Sequence, residues 1–249
     1  MKRVLSILPI VLCLLCTSCV DVLEEIFINK DGSGRFSTTI DMSKLMQPEF
    51  QSMMESFGAL GGEDEAPNFN LSDLDGVELD SLIAFADAPE ELLSQMSKEE
   101  KELLSNAFMR MEISGSSKVM KTTIEIEFDE VSDIEKIFNA MSKVDSGGEQ
   151  GLGNLSALTA PAIFTIKKKT LTRIKPADKG MDSEQEEAMG MMAMFFADAN
   201  YTTKYYFPKE VKSSTIANGI IEGNLLTVKN NLIDIMTNKA DISGEIKFK

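Results

Sequence analysis

The sequence predicts an α+β fold: an antiparallel sheet of hairpins with amphipathic helices packed mainly on one face. Three observations carry this expectation. Runs of alternating apolar and polar residues come in pairs around Gly-containing turns, at 22–28 with 35–42 and at 108–114 with 118–128. Apolar residues at helical spacing follow Ser-led starts at Ser43, Ser97, Ser132 and Ser183. The segment from Tyr201 to the end is rich in β-prone residues broken by Asn-Gly and Gly-Asn turns. The folded part is expected over 22–249, divisible into lobes 22–145 and 160–249, with flexible segments at 58–80 and 144–160.

The chain opens with Lys2 and Arg3, an apolar run from Val4 to Leu15, and the small residues Thr17 and Ser18 before Cys19. That layout is a secretory signal peptide. Its apolar run is shorter than the roughly 20 residues that span a bilayer. Cys16-Thr17-Ser18-Cys19 resembles a bacterial lipobox, with Cys16 where that family usually has Leu. The resemblance implies that residues 1–18 are removed and that the Cys19 sulfur is linked to diacylglycerol. The new amino terminus is then acylated, with palmitate or a similar chain, leaving 19–21 as a lipid-anchored N-terminus. Val20, rather than Asp, follows the cysteine. By resemblance to enteric sorting rules this points to the outer membrane rather than the inner one.

Cys13, Cys16 and Cys19 are the only cysteines. Their C-x2-C-x2-C spacing imitates iron–sulfur ligands, but apolar leader residues separate them and no fourth cysteine exists. Once residues 1–18 are gone no thiol remains beyond Cys19, so the fold depends on a packed core. The formal net charge is −15, which opposes nucleic-acid binding because phosphate must be met by cations. It also opposes adhesion to anionic membranes, so a membrane tether must be the lipid itself. There is no His, which removes Ser-His-Asp, Cys-His and zinc-His chemistry. No catalytic residue, cofactor or metal is assigned, and the chain is read as non-enzymatic.

In chain order, the first hairpin turns at Lys30-Asp-Gly-Ser-Gly34. That turn mimics the start of a calcium loop but has Ile40 where a bidentate Glu belongs. A helix is expected over 43–57, with Leu45, Met46, Phe50, Met53, Met54 and Phe57 on one face. The acidic stretch 58–80 follows, with no Lys or Arg inside it. A short helix opens at 87–91, and Ser97-Lys-Glu-Glu100 is a capping box for another ending near Asn106. In the second hairpin Thr122, Ile124, Ile126 and Phe128 face inward and Lys121, Thr123, Glu125 and Glu127 outward. Ser132-Asp-Ile-Glu135 then caps a helix with Ile134, Ile137, Phe138 and Met141 inward. The two hairpin–helix units echo each other across 36–45 and 120–128, either as an internal repeat or by convergence.

Beyond the linker, 163–175 reads as one long strand carrying the only dense basic cluster: Lys167, Lys168, Lys169, Arg173 and Lys175. The helix expected over 183–197 is apolar around most of its circumference. Met189, Met192, Phe195 and Phe196 are the candidate lining of a groove for a lipid-like ligand; core packing explains the same pattern. Strands follow at 201–207, 211–216, 220–221, 225–229 and 242–248, with Leu232–Met236 as a short link.

Cys19, the hairpin turn Asn29-Lys-Asp-Gly-Ser-Gly34 and Thr39-Ile-Asp-Met-Ser-Lys44 together resemble lipoproteins common in Bacteroidota. The segment Asn200–Val211, with its Tyr…Pro-x-x-Val pattern, and the strand Leu225-Leu-Thr-Val228 are similar to the mycobacterial LppM-type lipoprotein domain. These resemblances imply a lipid-anchored module with no catalytic residue. The expected function is a membrane-anchored bacterial envelope lipoprotein, a binding or structural module. Its partners are membrane lipid through acylated Cys19 and an envelope protein, or else a lipid-like ligand carried on the 183–197 helix.

Overall fold

Strand β1 (Asp21–Ile28) buries every second residue, Val22, Glu24, Ile26 and Ile28, and leaves the others half-buried. It pairs antiparallel with β2 (Gly34–Asp41) through the turn expected from the sequence. Asp31 closes that turn by accepting from the Ser33 amide and hydroxyl, which also holds its carboxyl below the usual range. A Cβ at Gly34 would lie 1.9 Å from the Phe27 carbonyl oxygen, so only glycine lets the strands meet there.

The computed structural model describes residues 20–48, 50, 52, 74, 76–87, 94, 96–145, 162–176 and 196–249. Within them β3 (Glu78–Ala84), β4 (Ala107–Ser114) and β5 (Val119–Phe128) extend the first hairpin on one side. On the other side stand β8 (Asn200–Tyr206), β10 (Gly219–Glu222) and β11 (Leu225–Asn231). The resulting sheet has eight strands in the order β10-β11-β8-β1-β2-β5-β4-β3. A second sheet of four runs β6-β7-β12-β9, built from β6 (Ile163–Lys167), β7 (Thr170–Ile174), β12 (Gly244–Phe248) and β9 (Val211–Ser214).

Among the described residues strand makes up 49%, and three short α-helices are described from end to end. These are α1 (Lys98–Leu104), α2 (Asp133–Asp145) and α3 (Leu232–Met236). The fold is therefore mostly β, not the helix-packed α+β fold expected from the sequence. The physical reason is that the C-terminal strands build a second sheet over the first, so sheet-on-sheet contact supplies much of the core. Arg173 of β7 reaches Glu24 of β1, and Phe248 of β12 stacks on Phe207 at 4.8 Å. Over β2 and β5 the cover is α2, whose Ile134 and Ile137 are buried and whose Phe138 meets Phe36 edge-on at 5.1 Å.

Three further corrections follow. The large sheet is not wholly antiparallel: β1 and β8 run parallel, from Asp21↔Asn200 to Phe27↔Tyr206. The strand expected over 163–175 is two strands, β6 and β7, joined by Lys168 and Lys169 at φ of 48° and 66°. A two-residue turn with both φ positive matches strand twist, but two lysines give no turn signal in the sequence. The helix expected from Ser43 begins as a 3-10 turn over Ser43–Met46, in which the Ser43 hydroxyl accepts from the Met120 amide instead of capping.

The flexible segment 58–80 is cut short, because Glu78–Asp80 already belong to β3. Asp80, expected to be unopposed, binds Arg110 thirty residues on. Leu232–Met236, read as a link, is a helix capped by Asn231, which accepts from the Ile233 and Asp234 amides. The capping box at Ser97 forms as expected, with both reciprocal bonds present.

Candidate functional site

The inward face of β1 carries one charged residue among aliphatics, Glu24, 1% exposed. Facing it from β7 is Arg173, 2% exposed. The guanidinium grips the carboxylate with both ends: Nη1 donates to Oε1, and Nη2 to Oε2 at 3.2 Å. Nη1 also donates to Tyr205 Oη at 2.9 Å, and Tyr201 Oη donates to Glu24 Oε2 at 2.9 Å. Arg173 lies 5.2 Å from the centre of the Phe164 ring. Tyr201 reaches Glu24, and Tyr205 reaches Arg173, because β8 is parallel to β1 and shares its inward register.

Burial by itself would lower the Arg173 guanidinium. The Glu24 carboxylate and the two phenols outweigh it and hold the pKa well above the ordinary value. Burial pushes the Tyr205 phenol up to about 12, with Arg173 opposing and Glu24 adding to that rise. Thr38 and Thr203 flank Glu24 on the neighbouring strands, and neither hydroxyl has a hydrogen-bond partner among the described residues. This cluster is closed to solvent. Its acceptors are met by donors on its own chain, so it joins the two sheets and presents no reacting group to a solute.

An open cleft of about 820 Å³ lies at the end of the large sheet that carries the β1–β2 turn. Asn29, Ser33 and Arg35 line it from the hairpin, Glu99 and Glu102 from α1, and Glu127, Asp129 and Asp133 from the β5–α2 corner. Beside it, Phe27 and Tyr206 stack with ring centres 4.2 Å apart, and Arg35 caps the Phe27 face at 4.5 Å. Arg35 also binds Glu125 at 3.0 Å. The cleft is acidic, but among the described residues no three His, Cys, Asp or Glu side chains gather as a metal site.

The opposite end of the sheet is where β1 begins. Val20 is 2% exposed, and its carbonyl accepts from the Asn200 amide at 3.3 Å. Asn231, Asn200, Asp21, Asp41 and Lys121 form one row across five strands. Asn200 donates to Asp21 at 2.7 Å, Lys44 reaches Asp21 at 3.4 Å and Lys121 reaches Asp41 at 3.2 Å.

Of the residues singled out from sequence, Cys19, Met189, Met192 and Phe195 lie outside the described residues. Phe196 is half-buried against the core at the foot of β8. Glu24, Tyr201 and Tyr205 were not singled out, and Arg173 was read only as one of the basic cluster at 167–175. The available signal was a charge at an inward position of an alternating strand, once acidic and once basic.

The chain matches no protein-family profile and no curated protein sequence. Among solved structures it is similar to the folded domain of the LppM protein of Mycobacterium tuberculosis, determined by NMR. Sequence identity is 11%, the match covers 93% of this chain and 91% of that one, and the TM-score is 0.42. A score below 0.5 does not establish a common fold.

Proposed function

We propose that this protein is a lipid-anchored bacterial envelope lipoprotein, held in the membrane through acylated Cys19, with a non-enzymatic binding or structural module as its body. One observation carries the reading: β1, which has strands on both sides in the large sheet, starts at Asp21, two residues after the lipobox cysteine, and Val20 between them is 2% exposed. A leader with a basic start, an apolar run and a small-residue end would leave Cys19 at the new amino terminus, one residue before the buried Val20. No described helix is long and apolar enough to cross a membrane. Two acyl chains anchor stably, at about 0.8 kcal/mol per buried methylene. The non-enzymatic reading is supported by the absence of His and by the closed bonding of the buried Glu24–Arg173 cluster.

The test is acyl labelling in the native host. Wild type is expected to incorporate radiolabelled palmitate and to partition into detergent, and Cys19→Ala to lose the label and accumulate as precursor. A Cys19→Ala protein that still takes up palmitate and runs at the wild-type mass overturns the reading.

A further inference from the structure

We propose that the domain stands directly on the bilayer in one fixed orientation. The sheet end bearing Asn200, Asp21, Asp41 and Lys121 meets the lipid headgroups, and the acidic cleft points away from the membrane. This rests on the lipid anchoring at Cys19 proposed above. The argument is one of tether length. A flexible linker of n residues spans about 5–6 Å times the square root of n. Here Val20 alone separates Cys19 from β1, and Val20 is 2% exposed and bonded through its carbonyl to Asn200. Consecutive Cα atoms lie about 3.8 Å apart, so an acylated Cys19 cannot leave the end of the sheet. With its acyl chains in the hydrocarbon, that end sits at headgroup level.

The anchor also enters near the middle of the sheet. In the order β10-β11-β8-β1-β2-β5-β4-β3, strands lie on both sides of β1, so the body cannot hang from an edge. The β4–β5 hairpin extends past the Glu112↔Lys121 pair through Ile113↔Met120 and Ser114↔Val119. The hairpin tip at 115–118 therefore projects beyond the Asp21 row, on the side from which the chain enters β1 through Val20. That tip is Gly-Ser-Ser-Lys, and the neighbouring row is polar, so the end suits the headgroup zone and not the hydrocarbon. At about 3.3 Å per residue, the eight residues of β1 place the cleft roughly 26 Å further out.

The mature chain has no cysteine besides the acylated one, so a single introduced thiol reports one position. Ser117→Cys marks the β4–β5 tip and Lys30→Cys the opposite turn; both sites are exposed. Each lipidated variant is labelled with a fluorophore and placed in vesicles of phosphatidylethanolamine and phosphatidylglycerol carrying a headgroup nitroxide. The expected result is several-fold stronger quenching at 117 than at 30. A Gly-Ser linker of about ten residues between Cys19 and Val20 should erase the contrast. Equal quenching at both positions in protein whose mass confirms acylation overturns this orientation and leaves the anchor standing. Absence of the acyl mass removes the anchor reading, and this proposal with it.

Discussion

Among the described residues two arginines each bind both oxygens of a carboxylate, Arg110 through Nε and Nη2 and Arg173 through Nη1 and Nη2, and their surroundings are opposite. Arg110 binds Asp80 across β3 and β4 with bonds of 2.8 and 2.7 Å, and its side chain is 54% exposed. Arg173 binds Glu24 across the two sheets, and its side chain is 1% exposed. The chemistry is the same; the dielectric is not. Water screens the outer pair and solvates either partner alone, so its net worth is small. In the interior, each charge has lost its hydration and depends on the other, and removing one strands the other. The inner pair therefore ties β7 to β1, whereas the outer pair decorates an edge strand.

The largest expected effect tests that difference. Arg173→Met leaves the Glu24 carboxylate buried with Tyr201 as its remaining named donor, and should cost about 3–5 kcal/mol in a urea melt. Combining it with Glu24→Leu removes both charges and should recover most of the loss. If Arg173→Met melts like wild type, the comparison fails.

Next in size is the alkaline limit. An ordinary tyrosine titrates near 10, and Tyr205 is pushed up to about 12 by burial. The folded state thus keeps its proton where the unfolded chain has lost it. The contribution is whole below pH 10, falls as pH rises from 10 to 12, and amounts to about 2–3 kcal/mol. Partial burial and Glu25 raise the Tyr206 phenol too, with the same sign. Denaturant melts across that range should show the fall, and Tyr205→Phe should remove most of it. A pH-independent wild type from 10 to 12 would show that the cluster is wetter than its burial implies.

The smallest effect is expected on the outside. Arg110→Ala should leave the melting temperature unchanged within error, at low and at high salt. A clear loss there would mean that β3, whose Leu82 is 69% exposed, depends on its ion pair for attachment.

Much of the local structure was legible. The β1–β2 and β4–β5 hairpins, their inward faces and the Ser97 capping box are written in residues a few positions apart. Period-two alternation and turn chemistry act at that range. The β6–β7 turn was not legible, because Lys168 and Lys169 adopt positive φ without Gly or Asn to announce it. The second sheet was not legible either. Its strands of four or five residues are too short to show which face is covered, and by what.

By itself the sequence determined the β1–β2 and β4–β5 hairpins and a strand with one acidic residue among its inward aliphatics. Only the tertiary structure decided that β1 pairs in parallel with β8, with Asp21 beside Asn200 at a separation of 179 residues. It alone decided that Glu24 meets Arg173 across 149 residues. The reason is physical. Every strand offers the same ladder of amides and carbonyls, so local pattern says which face of a strand must be buried but not against what. The partner is chosen by the arrangement that covers all the inward faces at once and leaves no buried charge alone.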